Sequence, residues 1–387
     1  MDKATRKYLA SYAEPSIKFA SRLPGCFDHV IVIPCFSEGN GLLAALSSLP
    51  IDTRSSTLVI VVLNASSLAS IEQLRANQLT LESLRAAFPS FETIANAPPC
   101  TLFQTPVGSL LLIEHSKVPW LLPAKESVGL ARKIGCDLAV ALGALGKLNA
   151  NWIHCTDADV QLHPDYFVQS VSRMPDVAAA YYPFRHNTET SLRYEVSLRY
   201  LVLGLAYAGS PYAHHTIGST LIISRSHYTK VRGFPKREAG EDYYMLNKLA
   251  KVGRILRLSG PPLTLSGRDS DRVPFGTGPA VGRLRHRPDE PLVYHPMIFT
   301  KLREHLEALG NDPRTHVSFD AFQTLKWIHR LRDQSLPSIG FRQACSDAVF
   351  VKARSSKEEP SVVELCNALE RQEHELSPLT GLAHGSA

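Results

Sequence analysis

The sequence predicts an α/β protein with a mostly parallel sheet flanked by helices and a helical C-terminal extension. Three observations carry that expectation. Near-continuous apolar runs at Val30–Pro34, Thr57–Leu63 and Trp152–Cys155 read as strands buried on both faces. Helical patterns at Leu42–Ser48, Leu68–Phe88 and Ala124–Leu145 separate those runs, the alternation that builds a parallel sheet covered on both sides. From Pro296 onward helical spacing dominates, over Ile298–Leu309, Phe319–Leu331 and Ser361–His374.

Taken in order, residues 1–27 read as a short helical lead-in closed by Pro24-Gly25. Residues 28–295 form the sheet domain, and 296–387 the helical extension. Within the sheet domain a proline- and polar-rich loop follows the Leu68–Phe88 helix, and Leu110–Ile113 is a third strand. Gly146 stops the helix that precedes the Trp152 strand. Past Pro164 come a strand at Val177–Tyr182, a helix at Ser191–Leu205, a strand at Thr216–Ile223 and a helix at Glu241–Val252. Residues 259–294 are dense in proline and glycine and read as one long loop, a common form for a lid or binding segment.

Composition excludes several classes. With 387 residues, 44% of them hydrophobic, the chain can bury one large core or two smaller ones. Its net charge of +6 is spread along the sequence, so no arm for nucleic acid stands out. The basic cluster Arg283–Arg287 reads as a solvated loop, and peripheral contact with anionic lipid is the other reading. Seven cysteines without a Cys-x-x-Cys pair give no zinc framework and fit a reducing compartment. The N-terminus lacks the apolar core of a signal peptide, and no apolar run approaches a bilayer span. A cytoplasmic protein, in solution or peripheral at the inner membrane face, is the expectation.

Chemistry concentrates at two places. The strand Trp152–Cys155 delivers Asp157 and Asp159 at its end. Side chains two apart on extended backbone point the same way, so both acids can face one cation. Hard divalent ions such as Mg²⁺ take oxygen ligands, often one or two carboxylates plus substrate phosphates. Ligands of open α/β sheets sit in the crevice at the carboxyl ends of the strands. A solvated strand end is the ordinary alternative, and Asp269-Ser-Asp271 is a second Asp-x-Asp triplet in this chain. The other place is Gly240-Glu-Asp242, where two acids open a helix. Acids at a helix start are stabilised by its dipole whatever their role.

With Pro34-Cys-Phe-Ser-Glu38 after the first strand and Gly129-Leu-Ala-Arg132-Lys-Ile-Gly135 on the helix before Asp157, the chain resembles the inverting family-two glycosyltransferases with the GT-A fold. Four short motifs occur in the family's order over roughly residues 28–258. The resemblance implies transfer of a sugar, with inversion, from a nucleotide-sugar donor to an acceptor hydroxyl of a glycan, lipid or small molecule. It implies Asp157 and Asp159 as holders of Mg²⁺ or Mn²⁺ on the diphosphate, and Asp242 as general base with Glu241 beside it holding the acceptor. Pro34, Glu38, Asn64 and Arg132 would line the donor side. Two departures stand out: Asn64 occupies the end of the second strand where the family has Asp, and Lys133 stands where it often has Asn.

The segment 268–278 lies outside the resemblance. Arg268 and Arg272 precede Phe275-Gly-Thr-Gly278, a layout able to close over a diphosphate, with Gly276 and Gly278 supplying backbone freedom. An inert surface loop is the alternative. The rival functions are a sugar nucleotidyltransferase, which needs a glycine-rich basic loop after the first strand, and a non-catalytic GT-A scaffold acting as a binding or assembly subunit.

Overall fold

The computed structural model describes residues 1–51, 55–168, 176–268, 276–286, 292–310, 319–352 and 360–376. In chain order, α1 (Lys3–Ser11) and a 3-10 segment (Pro15–Ser21) lead into β1 (His29–Cys35), α2 (Gly41–Ser47), β2 (Thr57–Asn64) and α3 (Ile71–Ala87). Next come β3 (Ser90–Asn96), β4 (Pro99–Thr105), β5 (Gly108–His115), α4 (Ser127–Ala144), β6 (Trp152–Cys155), β7 (Val160–Gln161) and β8 (Val177–Tyr181). They are followed by β9 (Phe184–His186), α5 (Glu189–Tyr207), β10 (Leu221–Ser224), α6 (Arg225–Lys230), α7 (Glu241–Leu249), β11 (Arg254–Arg257) and β12 (Leu263–Leu265). The remainder is α8 (Thr277–His286), β13 (Leu292–Val293), α9 (Pro296–Ala308), α10 (Ala321–Gln334), β14 (Ile339–Gly340), α11 (Phe341–Asp347) and α12 (Val362–Glu375).

Two compact units divide the chain, and neither is continuous in sequence. One comprises Met1–Phe184 and Ile217–Leu265, the other Arg185–Thr216 and Ser266–Ala387.

The first unit is built on a nine-stranded sheet in the order β11-β8-β10-β6-β1-β2-β5-β4-β3. β1 pairs in parallel with β2 from His29↔Thr57 to Cys35↔Leu63, and β2 with β5 as far as Asn64↔His115. β6 joins β1 on its other side, also parallel. Only β10 and β4 run against the remaining strands, so the expected α/β sheet is mostly parallel in direction. Every residue of β2 and β6 is buried, which is why their sequences show no alternation. Along α4, residues 129–142 are all buried, and Gly135 lets the helix lie on β1, since a Cβ there would sit 2.4 Å from Val32 Cγ1. The chain proceeds from β1 to β2 on one side and returns to β6 on the other. The crevice beyond the carboxyl ends of β1 and β6 is therefore the switch point where α/β sheets bind ligands.

The second unit is helical around an apolar core that includes Val196, Tyr200, Leu203, Phe299, Leu302, Phe350 and Leu369. Gly204 is seated on Phe299, where a Cβ would lie 2.7 Å from the ring. Charged groups tie α12 to α5 inside this unit. Arg199 donates from Nη1 to Glu373 Oε2 at 2.5 Å and from Nη2 to Glu195 Oε1 at 2.8 Å. His215 Nε2 meets Glu373 Oε1 at 2.9 Å.

Three local expectations need correction. The proline-rich stretch after α3 is the antiparallel pair β3–β4, which extends the sheet. Residues 277–286 are helical despite their glycines and proline, and β12 pairs with β7, so 259–294 is not one long loop. The strand expected at 216–223 starts only at Leu221, after a 3-10 turn at Gly218–Thr220. The physical reason for the last is Arg132, described next.

Candidate active site

All described residues of the site lie in the first unit. β6 ends at Cys155, and the chain turns through Thr156–Asp159, with Val160 N donating back to Asp157 O at 3.4 Å. Thr156 N donates to Val32 O at 3.1 Å, which fixes the start of that turn against β1. Asp157 is 38% exposed, and Asp159 is likewise half-buried. Opposite stands the turn after β1. A Cβ on Gly41 would lie 3.5 Å from Glu38 Oε2 and 3.7 Å from Ala158 O, so Glu38 and the Asp157–Asp159 turn share one corner of the crevice.

α4 inserts Arg132, 2% exposed, as the hub of the site. Its Nη2 donates to Asp157 Oδ1 at 2.9 Å, its Nε to Glu241 Oε1 at 3.1 Å and its Nη1 to Gly218 O at 3.1 Å. Burial works against the guanidinium's charge, but Asp157 and Glu241 outweigh it and hold its pKa above the ordinary value. Such a planar fork serves several oxygen acceptors at once, which a lysine cannot do.

Two glycines make room for this arrangement. A Cβ on Gly218 would lie 2.8 Å from Arg132 Nη2 and 3.4 Å from Asp242 Oδ2. On Gly129, one turn before Arg132, it would lie 2.4 Å from Pro235 O, and Gly129 N donates to Arg237 O at 2.9 Å. The loop leading to α7 thus rests directly on α4. Gly240, at φ +68°, turns that loop into α7, and the helix opens with Glu241 and Asp242.

The two acids differ in setting. Glu241 is buried, and one carboxylate oxygen is held by Arg132; burial raises its pKa and Arg132 partly offsets the rise. Asp242 is half-buried and accepts from Gly218 N at 2.8 Å and Tyr243 N at 2.7 Å. Burial and the neighbouring Glu241 carboxylate push its pKa up to about 7. A carboxyl that titrates near neutrality in a crevice is suited to general-base work.

The donor set suits a hard cation only in part. Among the described residues no group of three or more His, Cys, Asp or Glu is gathered as a metal site. Two oxygen-bearing acids on one turn fit a metal that arrives with a diphosphate, because Mg²⁺ is commonly bound by one or two carboxylates plus substrate phosphates. They do not form a cage on their own.

Other expected residues are placed as follows. Pro34 is buried in β1 opposite Val62. Asn64 ends β2 fully buried, and with its amide nitrogen turned inward it donates to Val62 O and Cys35 O, both at 3.2 Å. An Asp could not make those two donations, which gives the departure at this position a structural reason. Asn77 on α3 braces the same strand ends, donating to Asn64 O at 2.9 Å and accepting from Ser37 N at 2.8 Å. Arg272 and Phe275 lie outside the described residues; Arg268 is half-buried, and Gly278 lies within α8.

Two neighbours of the site escaped the sequence reading. The sequence places Gly218 in a strand, and only its contact with Arg132 marks it. Thr156, buried with no hydrogen-bond partner for its hydroxyl among the described residues, directly precedes Asp157, and nothing in the sequence singles it out.

Comparison with known proteins adds distant likenesses. No protein-family model matches the chain, and no curated protein does. Among solved structures, the mannosyltransferase PcManGT from Pyrobaculum calidifontis, in complex with GDP-Man and Mn²⁺, is 14% identical with a TM-score of 0.40, covering 99% of this chain and 96% of its own. The S. aureus TarS 1-349 fragment in complex with UDP-GlcNAc is 12% identical with a TM-score of 0.38, covering 92% of both chains. A second TarS 1-349 structure is 11% identical with a TM-score of 0.35, over 62% of this chain and only 60% of its own. Likeness this remote assigns neither family nor activity. No helix among the described residues is long and apolar enough to cross a membrane.

Proposed function

We propose that the chain is an inverting, metal-dependent nucleotide-sugar glycosyltransferase of the GT-A type, related to family two. The observation that carries the reading is Arg132, which joins Asp157 at the end of β6 to Glu241 beside Asp242 across one crevice. A carboxylate turn, a buried cation and a carboxyl near neutrality meet there, at the sheet's switch point.

Asp157 and Asp159 hold Mg²⁺ or Mn²⁺ together with the donor diphosphate. The metal, when bound, neutralises charge on the leaving nucleoside diphosphate. Arg132 adds fixed positive charge beneath that group and keeps Asp157 in place. Asp242 takes the proton from the acceptor hydroxyl as its oxygen attacks the anomeric carbon, a role worth on the order of 10²–10⁴ in rate. Glu241 holds Arg132. Glu38 and Pro34 line the nucleoside side, with Asn64 keeping the ends of β1 and β2 in register beneath it. The acceptor is a glycan, lipid or small molecule bearing a hydroxyl.

The test is a donor screen with Mn²⁺, reading nucleoside diphosphate release and the anomeric configuration of the product. Release from one donor with an inverted product, lost in Asp242→Asn, agrees with the proposal. A retained configuration overturns the mechanism.

A further inference from the structure

The N-terminal segment, residues 2–14, makes contacts that no part of the reaction above requires. Asp2 caps α1, accepting from Thr5 N at 2.9 Å, and Tyr8 is the buried residue of that helix. The Tyr8 hydroxyl donates to Asp137 Oδ1 on α4 and accepts from Lys133 Nζ at 2.7 Å. Asp137, fully buried, also accepts from Glu14 N at 2.8 Å, Lys133 Nζ at 2.7 Å and Tyr228 Oη at 2.7 Å. Two of its four donors thus come from the N-terminal segment. Lys133 and Asp137 are one turn apart on α4, and Lys133 follows Arg132 directly, so whatever fixes that face of the helix also fixes the angle at which Arg132 enters the site.

The same segment grips the loop that leads to Asp242. Arg232 lies over the Tyr12 ring at 4.8 Å, and Lys236 Nζ meets Glu14 Oε1 at 2.8 Å. Gly233 is pressed against Tyr8, since a Cβ there would lie 2.3 Å from its hydroxyl oxygen. From the far side, Lys248 on α7 donates to Val231 O at 2.9 Å and Gly233 O at 2.6 Å. The loop is clamped between the N-terminal segment and the helix that bears Asp242.

We infer that Tyr8, with Glu14, is a positioning residue: the N-terminal segment sets the relation between Arg132 and Asp242 by holding α4 and the 231–240 loop together from behind. Neither residue touches the crevice chemistry. A displacement of about 1 Å in a catalytic group is enough to cost on the order of 10²-fold in rate, so a remote clamp can matter to turnover.

The test compares wild type with Tyr8→Phe, which removes one hydroxyl, and Lys236→Ala, an exposed residue whose loss cuts only the Glu14 tie. Hydrogen exchange followed by peptide mass spectrometry gives the first readout. The inference expects faster exchange in 127–137 and 231–242 in Tyr8→Phe, a smaller change in Lys236→Ala, and unchanged exchange in β1 and β2. Turnover, measured well below the melting temperature, gives the second: kcat falls roughly 10-fold or more in Tyr8→Phe while donor KM stays within about 2-fold. Unchanged exchange in 231–242, or a lowered melting temperature with wild-type kcat, overturns the inference. The turnover readout rests on the transferase reading. The exchange readout does not, so wild type without transferase activity would sink that reading and leave the clamp to be decided by exchange.

Discussion

Arg132 and Asp157 are joined by a 2.9 Å bond between a buried guanidinium and a carboxylate that stands 38% exposed at the mouth of the crevice. The buried partner organises the exposed one. On its other side the same guanidinium holds Glu241 at 3.1 Å, so Asp157 and the helix that opens with Glu241 and Asp242 share one cation.

That sharing makes Arg132 the residue least open to substitution. Arg132→Met keeps much of the volume but leaves Glu241 buried without its cation. Removing one partner of a buried pair costs about 3–5 kcal/mol, here at the lower end because Asp157 can turn to solvent. Chemical denaturation should show that loss, and Arg132→Lys should restore stability only in part, since an ammonium cannot fork to three acceptors.

Asp242 gives a signed pH prediction. Its pKa is raised from 3.8 to about 7, so between those values the folded state binds more protons than the unfolded one. Stability therefore falls as pH rises from about 4 through about 7. Asp242→Asn should flatten that fall in melting curves taken across pH. As the proposed base Asp242 must be ionised, so kcat/KM should rise with pH through about 7, and Asp242→Asn should lower turnover by roughly 10²–10⁴ above that pH and by progressively less below it.

Gly218→Ala should separate geometry from fold. The new Cβ meets Arg132 Nη2 at 2.8 Å, and three hydrogen bonds restrain that arginine. Overpacking of this kind costs about 1–3 kcal/mol. The expected result is a folded protein with a modestly lower melting temperature and a larger fractional loss of kcat than of donor affinity.

In the helical unit the corresponding test is Glu195. Burial would raise its pKa, but hydrogen bonding to His186 and the charge of Arg199 dominate and lower it from 4.5 to about 2. A depressed acid contributes stability that is present above about 4.5 and is lost as pH falls toward about 2. Urea melts over that range should show the loss in wild type and much less of it in Glu195→Gln, which starts out less stable at neutral pH.

The fold was legible wherever burial on both faces erased alternation, as in β1, β2 and β6, and where long helices carried apolar spacing, as in α3 and α4. It was not legible where short edge strands depend on a neighbour. Pro98 and Pro99 sit at the tight connection between β3 and β4, so composition alone resembles a loop. α8 contains Gly278, Pro279 and Gly282, whose weak helix propensity hides it. Within the site, Asp157, Glu241 and Asp242 announced themselves as paired acids at element ends. The reason Arg132 belongs with them did not, because its three acceptors are 25, 86 and 109 residues distant in sequence. Lys133, which looked like a departure at the donor site, turns away to Asp137 and Tyr8.

The most direct test of the central claim is a thermal-shift screen of nucleoside diphosphates and nucleotide sugars, with and without Mn²⁺, on wild type and Asp159→Ala. A ligand at 100 times its Kd stabilises the native state by about 2.7 kcal/mol, well within reach of a melting curve. The account predicts that one nucleotide sugar raises the melting temperature only with Mn²⁺, and that Asp159→Ala abolishes the shift. No shift with any nucleotide in folded protein, or a shift that survives Asp159→Ala unchanged, would contradict it.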